Sequence, residues 1–348
     1  MQASQRILFL TDDREDYLAD SLLHGLISLG SHEVVDYPKK ELLYQGSITA
    51  SNCIQIYGNG FTLYGLLPDR IANRSLIWKR LEEGYFNIVI LGNIWRQFGL
   101  LAQVSKFIQP NRSRLALLDG DDDPRLYPVS MTRIREHGLR LPWLHPQIPA
   151  QSRYFKRELS PFKPQRWLEF LVPTSIRPWF RSHLAQGTIK PLQCSFSIPE
   201  QWIRKPDLGH KQKLLPSHIV DEEVRKHFQA GSSNYAFLNQ RDYFNDIAQS
   251  RFGITTKRAG WDCLRHYEIA AAGTVPCFRE LDKKPTECSP HGLNTTNCIS
   301  YQTARDLAIR LNDIDDSEYE ALVQASHQWA LKHTTAREAE RFLAQLKP

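Results

Sequence analysis

The sequence predicts an α/β protein made of two halves, each with a parallel sheet. Three observations carry this. Strand, helix and strand follow one another at βαβ pitch from the start of the chain; continuous apolar runs of strand length recur further on; and a proline-rich break separates the first set of elements from a second. At 348 residues the chain is also too long for one ordinary domain.

The first run, Arg6 to Leu10, is apolar with an Asp pair just behind it and reads as a buried strand. Tyr17 to Leu29 places Leu18, Leu22, Leu26 and Leu29 at helical spacing and stops at Gly30. Glu33 to Tyr37 is the second strand. Phe86 to Leu91 (FNIVIL) is apolar throughout, as a parallel strand covered on both faces must be. A helix over about 95–107 follows, then a strand over 115–118 that runs into the acidic loop Asp119-Gly120-Asp121-Asp122-Asp123-Pro124. Seven of the 20 prolines fall in 141–186. Proline removes backbone donors and disfavours helix in the residue before it, so this stretch reads as irregular, with Trp167 and Trp179 as aromatic anchors.

The second pattern begins with a strand over 193–198. Helices are expected over 221–229 and 241–249, and short strands over 235–238 and 252–254. A helix over 262–272 is closed by Gly273 and followed by a strand over 274–278. Three further helices cover 303–312, 316–333 and 335–346. The domain expectation is therefore 1–180 for the first half, with the irregular segment 141–186 inside or after it. Residues 187–333 form the second half, and 334–348 a last helix that packs back on the first.

Composition excludes several classes. Hydrophobic residues make up 41% and charged residues 24%, enough apolar material to offset the ordering entropy of a folded core. No apolar run has the length of a membrane helix and the N-terminus lacks a signal-type apolar region, so a cytoplasmic protein with at most peripheral membrane association is expected. A net charge of +6 suits an anionic small molecule and is too weak to argue for nucleic acid. The six cysteines include Cys288 and Cys298 with His291 between them, but no CxxC pair. Reduced, mostly buried thiols and no metal are expected.

Ser250 to Phe278 (SRFGITTKRAGWDCLRHYEIAAAGTVPCF) carries the chemistry. A strand ends in a loop with Lys257, Arg258 and Gly260, and the loop opens directly into a helix. A helix start offers N–H groups and the positive end of its dipole; two cations and a glycine in front of it make a phosphate-binding arrangement. Glu268, further along that helix with Arg265 one turn before it, is placed to accept hydrogen bonds from a ribose diol. The bland alternative is an i, i+3 surface ion pair beside solvated cations.

Arg258-Ala259-Gly260-Trp261-Asp262, Arg265, Glu268, Gly273 and Pro276 together resemble the donor-site signature of GT-B glycosyltransferases, most of all the exostosin-like and related bacterial branch. The segments Leu118 to Asp122 and Tyr154 to Leu159 resemble parts of the same branch. The resemblance implies a GT-B fold, two Rossmann-like domains facing a central cleft. It implies transfer of a sugar from a nucleoside-diphosphate sugar, such as a UDP-sugar, to a glycan or other hydroxyl acceptor, with the nucleotide sugar as co-substrate and no further cofactor. Glu268 then binds the ribose, Lys257 or Arg258 the diphosphate, and Gly260, Trp261, Asp262 and Arg265 complete the signature. The glutamate that many retaining members carry eight residues earlier is replaced by Gly260, which leaves the stereochemical outcome open. Asp119-Gly120-Asp121 has the spelling of a metal-binding DxD but lies in the first half, so a metal-independent reaction is expected. A nucleotide-sugar epimerase of the same fold and a non-catalytic nucleotide-sugar-binding protein are the alternatives.

A transferase needs a base for the acceptor hydroxyl, set across the cleft from the diphosphate. Two acidic clusters follow strands of the first half: Asp12-Asp13, and Asp119 to Asp123. Asp13 suits a helix cap and the second cluster a turn. Four carboxylates in five residues exceed what a turn requires, and crowding raises the pKa of one member, which places Asp119 or Asp121 ahead of Asp12. His24, on a helix whose apolar face it joins, is a weaker candidate.

Overall fold

The structure is a computed structural model that describes residues 4–49, 51–70, 72–108, 113–128, 146–159, 173–176, 190–232 and 237–347. In chain order the elements are β1 (Arg6–Leu10), α1 (Tyr17–Ser28), β2 (Glu33–Tyr37), α2 (Ile77–Glu82), β3 (Ile88–Leu91), α3 (Ile94–Val104), β4 (Arg114–Asp119), β5 (Arg153–Lys156), β6 (Leu192–Gln193), α4 (Glu222–Phe228), α5 (Gln240–Ala248), β7 (Phe252–Thr255), α6 (Leu264–Ala271), β8 (Val275–Arg279), β9 (Ile299–Tyr301), α7 (Ala304–Asp313), α8 (Asp316–Lys332) and α9 (Thr335–Gln345). Strands β1 to β6 form one sheet in the order 2-1-3-4-5-6 and β7 to β9 a second in the order 7-8-9. Every pairing is parallel. This is the α/β arrangement of two separate parallel sheets that the sequence predicts.

Each sheet is covered on both faces, which is why its strands read as unbroken apolar runs. Ile7, Phe9, Ile90 and Leu118 pack on the face that carries α1, while Leu8, Leu10, Val89 and Leu117 pack on the face that carries α3. In the second sheet, Phe278 joins α5 and α6 on one side, and Phe252, Ile254 and Val275 join α7 on the other. Asp16 caps α1 by accepting from the Ala19 N–H at 3.1 Å, and Gly30 ends that stretch at φ +65°. The last helix, α9, lies against α1, with the Phe342 ring tilted 4.5 Å from that of Phe155 of β5. Gly25 makes this approach possible: a Cβ there would lie 2.5 Å from the Thr335 carbonyl carbon and nearer still to its oxygen.

Three expectations and one unexpected strand need comment. Leu192–Gln193 pairs with Phe155 and Lys156 of β5, so the strand expected at 193–198 belongs to the first sheet and ends early. In the 235–238 stretch, 235 and 236 lie outside the described residues, and Phe237 and Leu238 are not in a strand. Strand β9 escaped the sequence reading because three residues are too few to show a period. Trp167, Trp179 and most of 141–186 lie outside the described residues. Among the described residues no helix is long and apolar enough to cross a membrane.

Candidate functional site

A cleft of about 660 Å³ opens between the two sheets. Tyr17, Tyr57, Phe61 and Asp122 line it from the first half, and Arg258, Arg265 and Glu268 from the second. It lies beyond the carboxyl ends of β4 and β7, where open parallel sheets place ligands.

The loop from Thr256 to Cys263 connects β7 to α6 and forms one wall. His266 holds it at both ends: its Nδ1 accepts from the Thr255 hydroxyl at 2.9 Å, and its Nε2–H donates to the Trp261 carbonyl at 2.9 Å. Burial pushes the His266 pKa down to about 3, so the ring stays neutral and keeps both bonds. Helix α6 starts at Leu264, two residues later than expected, because Cys263 is still extended at φ −144°.

Glu158, at the end of β5, reaches across to this loop. Its Oε2 accepts from the Trp261 N–H and its Oε1 from the Asp262 N–H, each at 3.0 Å, and Cys288 Sγ donates to Oε2 at 3.0 Å. The expectation that backbone donors before the helix stay free for a phosphate is corrected here: a carboxylate of the first half already takes two of them. Gly260 is the residue that lets it in. A Cβ at 260 would stand 2.7 Å from both Asp122 Oδ1 and Glu158 Cδ.

Arg157 completes the seam. Its guanidinium is 2% exposed, donates to Glu158 Oε1 at 2.6 Å and to the Asp262 carbonyl at 3.0 Å, pairs with Asp122, and lies 4.6 Å over the Phe196 ring. The Asp262 carboxyl accepts from the Phe196 N–H at 2.8 Å and from the Tyr267 hydroxyl at 2.8 Å, which ties the segment entering the second half to α6. Burial pushes its pKa up to about 7, with Arg157 acting against that rise.

The basic residues of the signature divide. Arg258 and Arg265 line the cleft. Lys257 is exposed and lies 4.9 Å over the Trp261 ring, outside the lining. Two guanidiniums thus line the cleft, and their planar forks suit phosphate oxygens.

Glu268 lines the same wall with 7% of its surface exposed. Thr62 Oγ1 donates to its Oε1 and Tyr243 OH to its Oε2, both at 2.5 Å. Thr62 comes from the first half, in Tyr57 to Gly65 (YGNGFTLYG), where three glycines in nine residues signal tight turns. It has φ +76°, and the Leu63 N–H donates to the Phe61 carbonyl at 2.9 Å, closing a three-residue turn around it. A β-branched residue in that region is an outlier that costs on the order of 1–3 kcal/mol.

The acidic candidates do not meet at the cleft. Asp119 has no exposed surface: it accepts from Trp95 Nε1, Lys156 Nζ and the Asp121 N–H, each at 3.0 Å, and from the Tyr154 hydroxyl. Lys156 also donates to the Asp121 carbonyl at 3.0 Å, so the DxD-spelled turn closes on an ammonium group. Asp121 is 4% exposed and does not line the cleft. Asp12 pairs with Arg96 at 2.8 Å, in a small pocket beyond β1 that also holds Lys40. His24 is buried between α1 and α9 with its Nδ1 3.0 Å from Thr335 Oγ1. None of these four residues lines the cleft, and each is bonded within the first half or to α9. The carboxylate of the acidic run that does line the cleft is Asp122, with 43% of its side chain exposed. Strand β4 alternates sides, but the loop after it does not, so the spelling of the run could not say which of its members turns outward.

Among the described residues no group of three or more His, Cys, Asp and Glu side chains is placed to hold a metal ion, and all six cysteines are free.

Neither a protein-family model nor a curated protein sequence matches the chain. Solved structures do resemble it. The Anabaena protein Alr3699/HepE, crystallised in complex with UDP and glucose, is 11% identical, with 98% of this chain and 99% of that one covered and a TM-score of 0.49. The N-terminal domain of the Candida albicans trehalose-6-phosphate phosphatase is 11% identical over 99% of this chain and 96% of that one, with a TM-score of 0.46. The pneumococcal O-GlcNAc transferase GtfA, in complex with UDP and GlcNAc, is 12% identical over 80% of this chain and 60% of that one, with a TM-score of 0.40. Likenesses of this degree carry no assignment of activity; that has to come from the cleft itself.

Proposed function

We propose that the protein is a glycosyltransferase that moves a sugar from a nucleoside-diphosphate sugar to an acceptor hydroxyl. One observation carries this: a single cleft is lined by the Glu268 carboxylate and by the Arg258 and Arg265 guanidiniums on one side, and by the Asp122 carboxylate on the other. Glu268 accepts from the ribose diol, the two arginines meet the diphosphate, and the sugar lies toward Asp122. The acceptor oxygen bonds to the anomeric carbon as its proton passes to Asp122, and the bond from that carbon to the phosphate oxygen breaks with its electron pair leaving on the diphosphate. Arg157 fixes the direction of the Asp122 carboxylate. No metal ion or further cofactor is invoked.

The test is calorimetric titration of the wild type and Glu268→Ala with UDP, GDP, ADP and CDP. A hydrogen bond to a charged group contributes about 1.5–3 kcal/mol, so the variant should lose roughly ten- to a hundredfold in affinity. Affinity undiminished in Glu268→Ala would overturn the assignment. Asp122→Asn should bind nucleotide normally and lose transfer; interconversion of the nucleotide sugar without any acceptor would point to an epimerase instead.

A further inference from the structure

We propose that Thr62, in the opposite half of the chain, is a positioning residue for the ribose carboxylate, so that the nucleotide site is complete only with the two halves together. The inference rests on the role given above to Glu268 and adds a residue that no sequence motif of the donor half contains.

Thr62 has no exposed surface and does not line the cleft, whereas Glu268 and Tyr243 do. It therefore reaches Glu268 from behind. All three of its polar groups are spent on the second half: Oγ1 on Glu268 Oε1 at 2.5 Å, the N–H on Gln240 Oε1 at 2.9 Å, and the carbonyl on Trp202 Nε1 at 2.7 Å. Residues in a disfavoured backbone region persist only where their surroundings over-determine them, and they cluster at functional sites. Here three bonds across the seam hold a β-branched residue at φ +76°. Each carboxylate oxygen accepts more than one hydrogen bond. Thr62 and Tyr243 take one position on each oxygen and fix the plane of the group, which leaves the cleft-facing positions for a diol. A carboxylate without this support would rotate, and the cost of holding it would be drawn from nucleotide affinity.

Thr62→Val is the decisive change, because it is isosteric, keeps the same backbone demand and removes only the hydroxyl. The two backbone bonds to Gln240 and Trp202 remain. Calorimetry on the whole chain should use whichever of UDP, GDP, ADP and CDP binds the wild type best, together with its 2′-deoxy and 3′-deoxy forms. The wild type should prefer the full diol. Thr62→Val should lose about tenfold for the full nucleotide and little for the deoxy form that the wild type already disfavours, so the discrimination collapses; Thr62→Ser should restore it. Discrimination kept in Thr62→Val, or a uniform loss for all three nucleotides, would overturn the role of Thr62, since a general folding defect weakens every ligand alike. Glu268→Ala separates the two levels. If it also keeps the preference for the diol, the ribose assignment itself falls; if it loses the preference while Thr62→Val does not, only Thr62 is wrongly placed.

Discussion

Replacing Gly260 by Ala tests whether the seam between the halves is built as described. The backbone at 260 is not in the left-handed region, so the cost comes from space and not from strain. The new Cβ would stand 2.7 Å from Asp122 Oδ1 and from Glu158 Cδ, where real Cβ contacts begin at about 3.0 Å, and closer still to Glu158 Oε1. Either the Glu158 carboxylate retreats or the loop moves away from it. Retreat by about half an ångström takes its 3.0 Å bonds to the Trp261 and Asp262 N–H groups to the edge of hydrogen-bonding range. Losing both would cost about 3–6 kcal/mol at 1.5–3 kcal/mol for each bond to a charged group, and movement of the loop limits the loss to the 1–3 kcal/mol typical of overpacking. An outcome of about 2–4 kcal/mol lies between these limits and corresponds to a fall in Tm of roughly 3–6 °C for a chain of 348 residues. Differential scanning fluorimetry on the wild type, Gly260→Ala, and Gly260→Ala combined with Glu158→Asp is the assay. The shorter acid should recover part of the loss by withdrawing the carboxylate. A single variant that melts within about 1 °C of the wild type would show that Glu158 does not fill this space.

Two further outcomes are expected. Gly25→Ala sets a Cβ against the Thr335 backbone, which no rotamer change relieves, so it should destabilise by about 2–4 kcal/mol in urea unfolding and free α9 to protease; a variant as resistant as the wild type would place α9 elsewhere. His266, with its folded pKa lowered to about 3 by burial, is neutral while the unfolded chain protonates near 6.5; the unfolded state then binds the extra proton, and this histidine's contribution, full above pH 6.5, is lost as pH falls below it. Asp262 acts in the opposite direction, because its folded pKa is raised to about 7 and the folded state holds a proton the unfolded state has released. Replacing His266 by Asn should therefore lower the slope of stability against pH by up to about 1.4 kcal/mol per unit between about pH 5 and 6, measured from guanidinium midpoints; an unchanged slope would mean that the ring is not buried neutral.

Much of the architecture was legible because burial on both faces writes itself as uninterrupted apolar runs. Residues 86–91 and 6–10 could hardly be anything but central strands. The loop between β7 and α6 was legible for a different reason: a segment that must turn, carry cations and open a helix needs particular residues at particular spacings. What could not be read was which polar groups turn inward. Lys156, Arg157 and Glu158 are three consecutive charges, the usual mark of a solvated surface, yet their exposures are 0%, 2% and 3%. Their partners stand at Asp119 and Asp122 and at 261 and 262, a hundred residues further on in the second case. The burial of Asp119 was illegible on the same ground. An acidic cluster after a strand is equally compatible with a catalytic group and with a buried network, and the choice depends on Trp95, Tyr154 and Lys156, which no local pattern connects to it.

The departure of the sequence from the retaining GT-B pattern at Gly260 takes on a structural meaning in this seam. Many retaining GT-B enzymes, which the sequence resembles in this stretch, carry a glutamate at that position of the loop. In this chain the position is bare, and the volume its side chain would need is filled by Glu158 and Asp122, two carboxylates from the first half. One of them, Glu158, is consumed in holding the loop; the other, Asp122, stands in the cleft. Negative charge in the cleft is thus delivered across the seam instead of along the loop, and Arg157, touching both acids and the Asp262 carbonyl, sets how far each one reaches. Such a site depends on the register of the two halves. Thr62 and Glu158 cross the seam in the same direction, one to Glu268 and one to the loop that carries Arg258. Any change that slides the halves therefore disturbs the Glu268 wall and the Asp122 wall of the cleft together, because each is held by bonds that cross the seam.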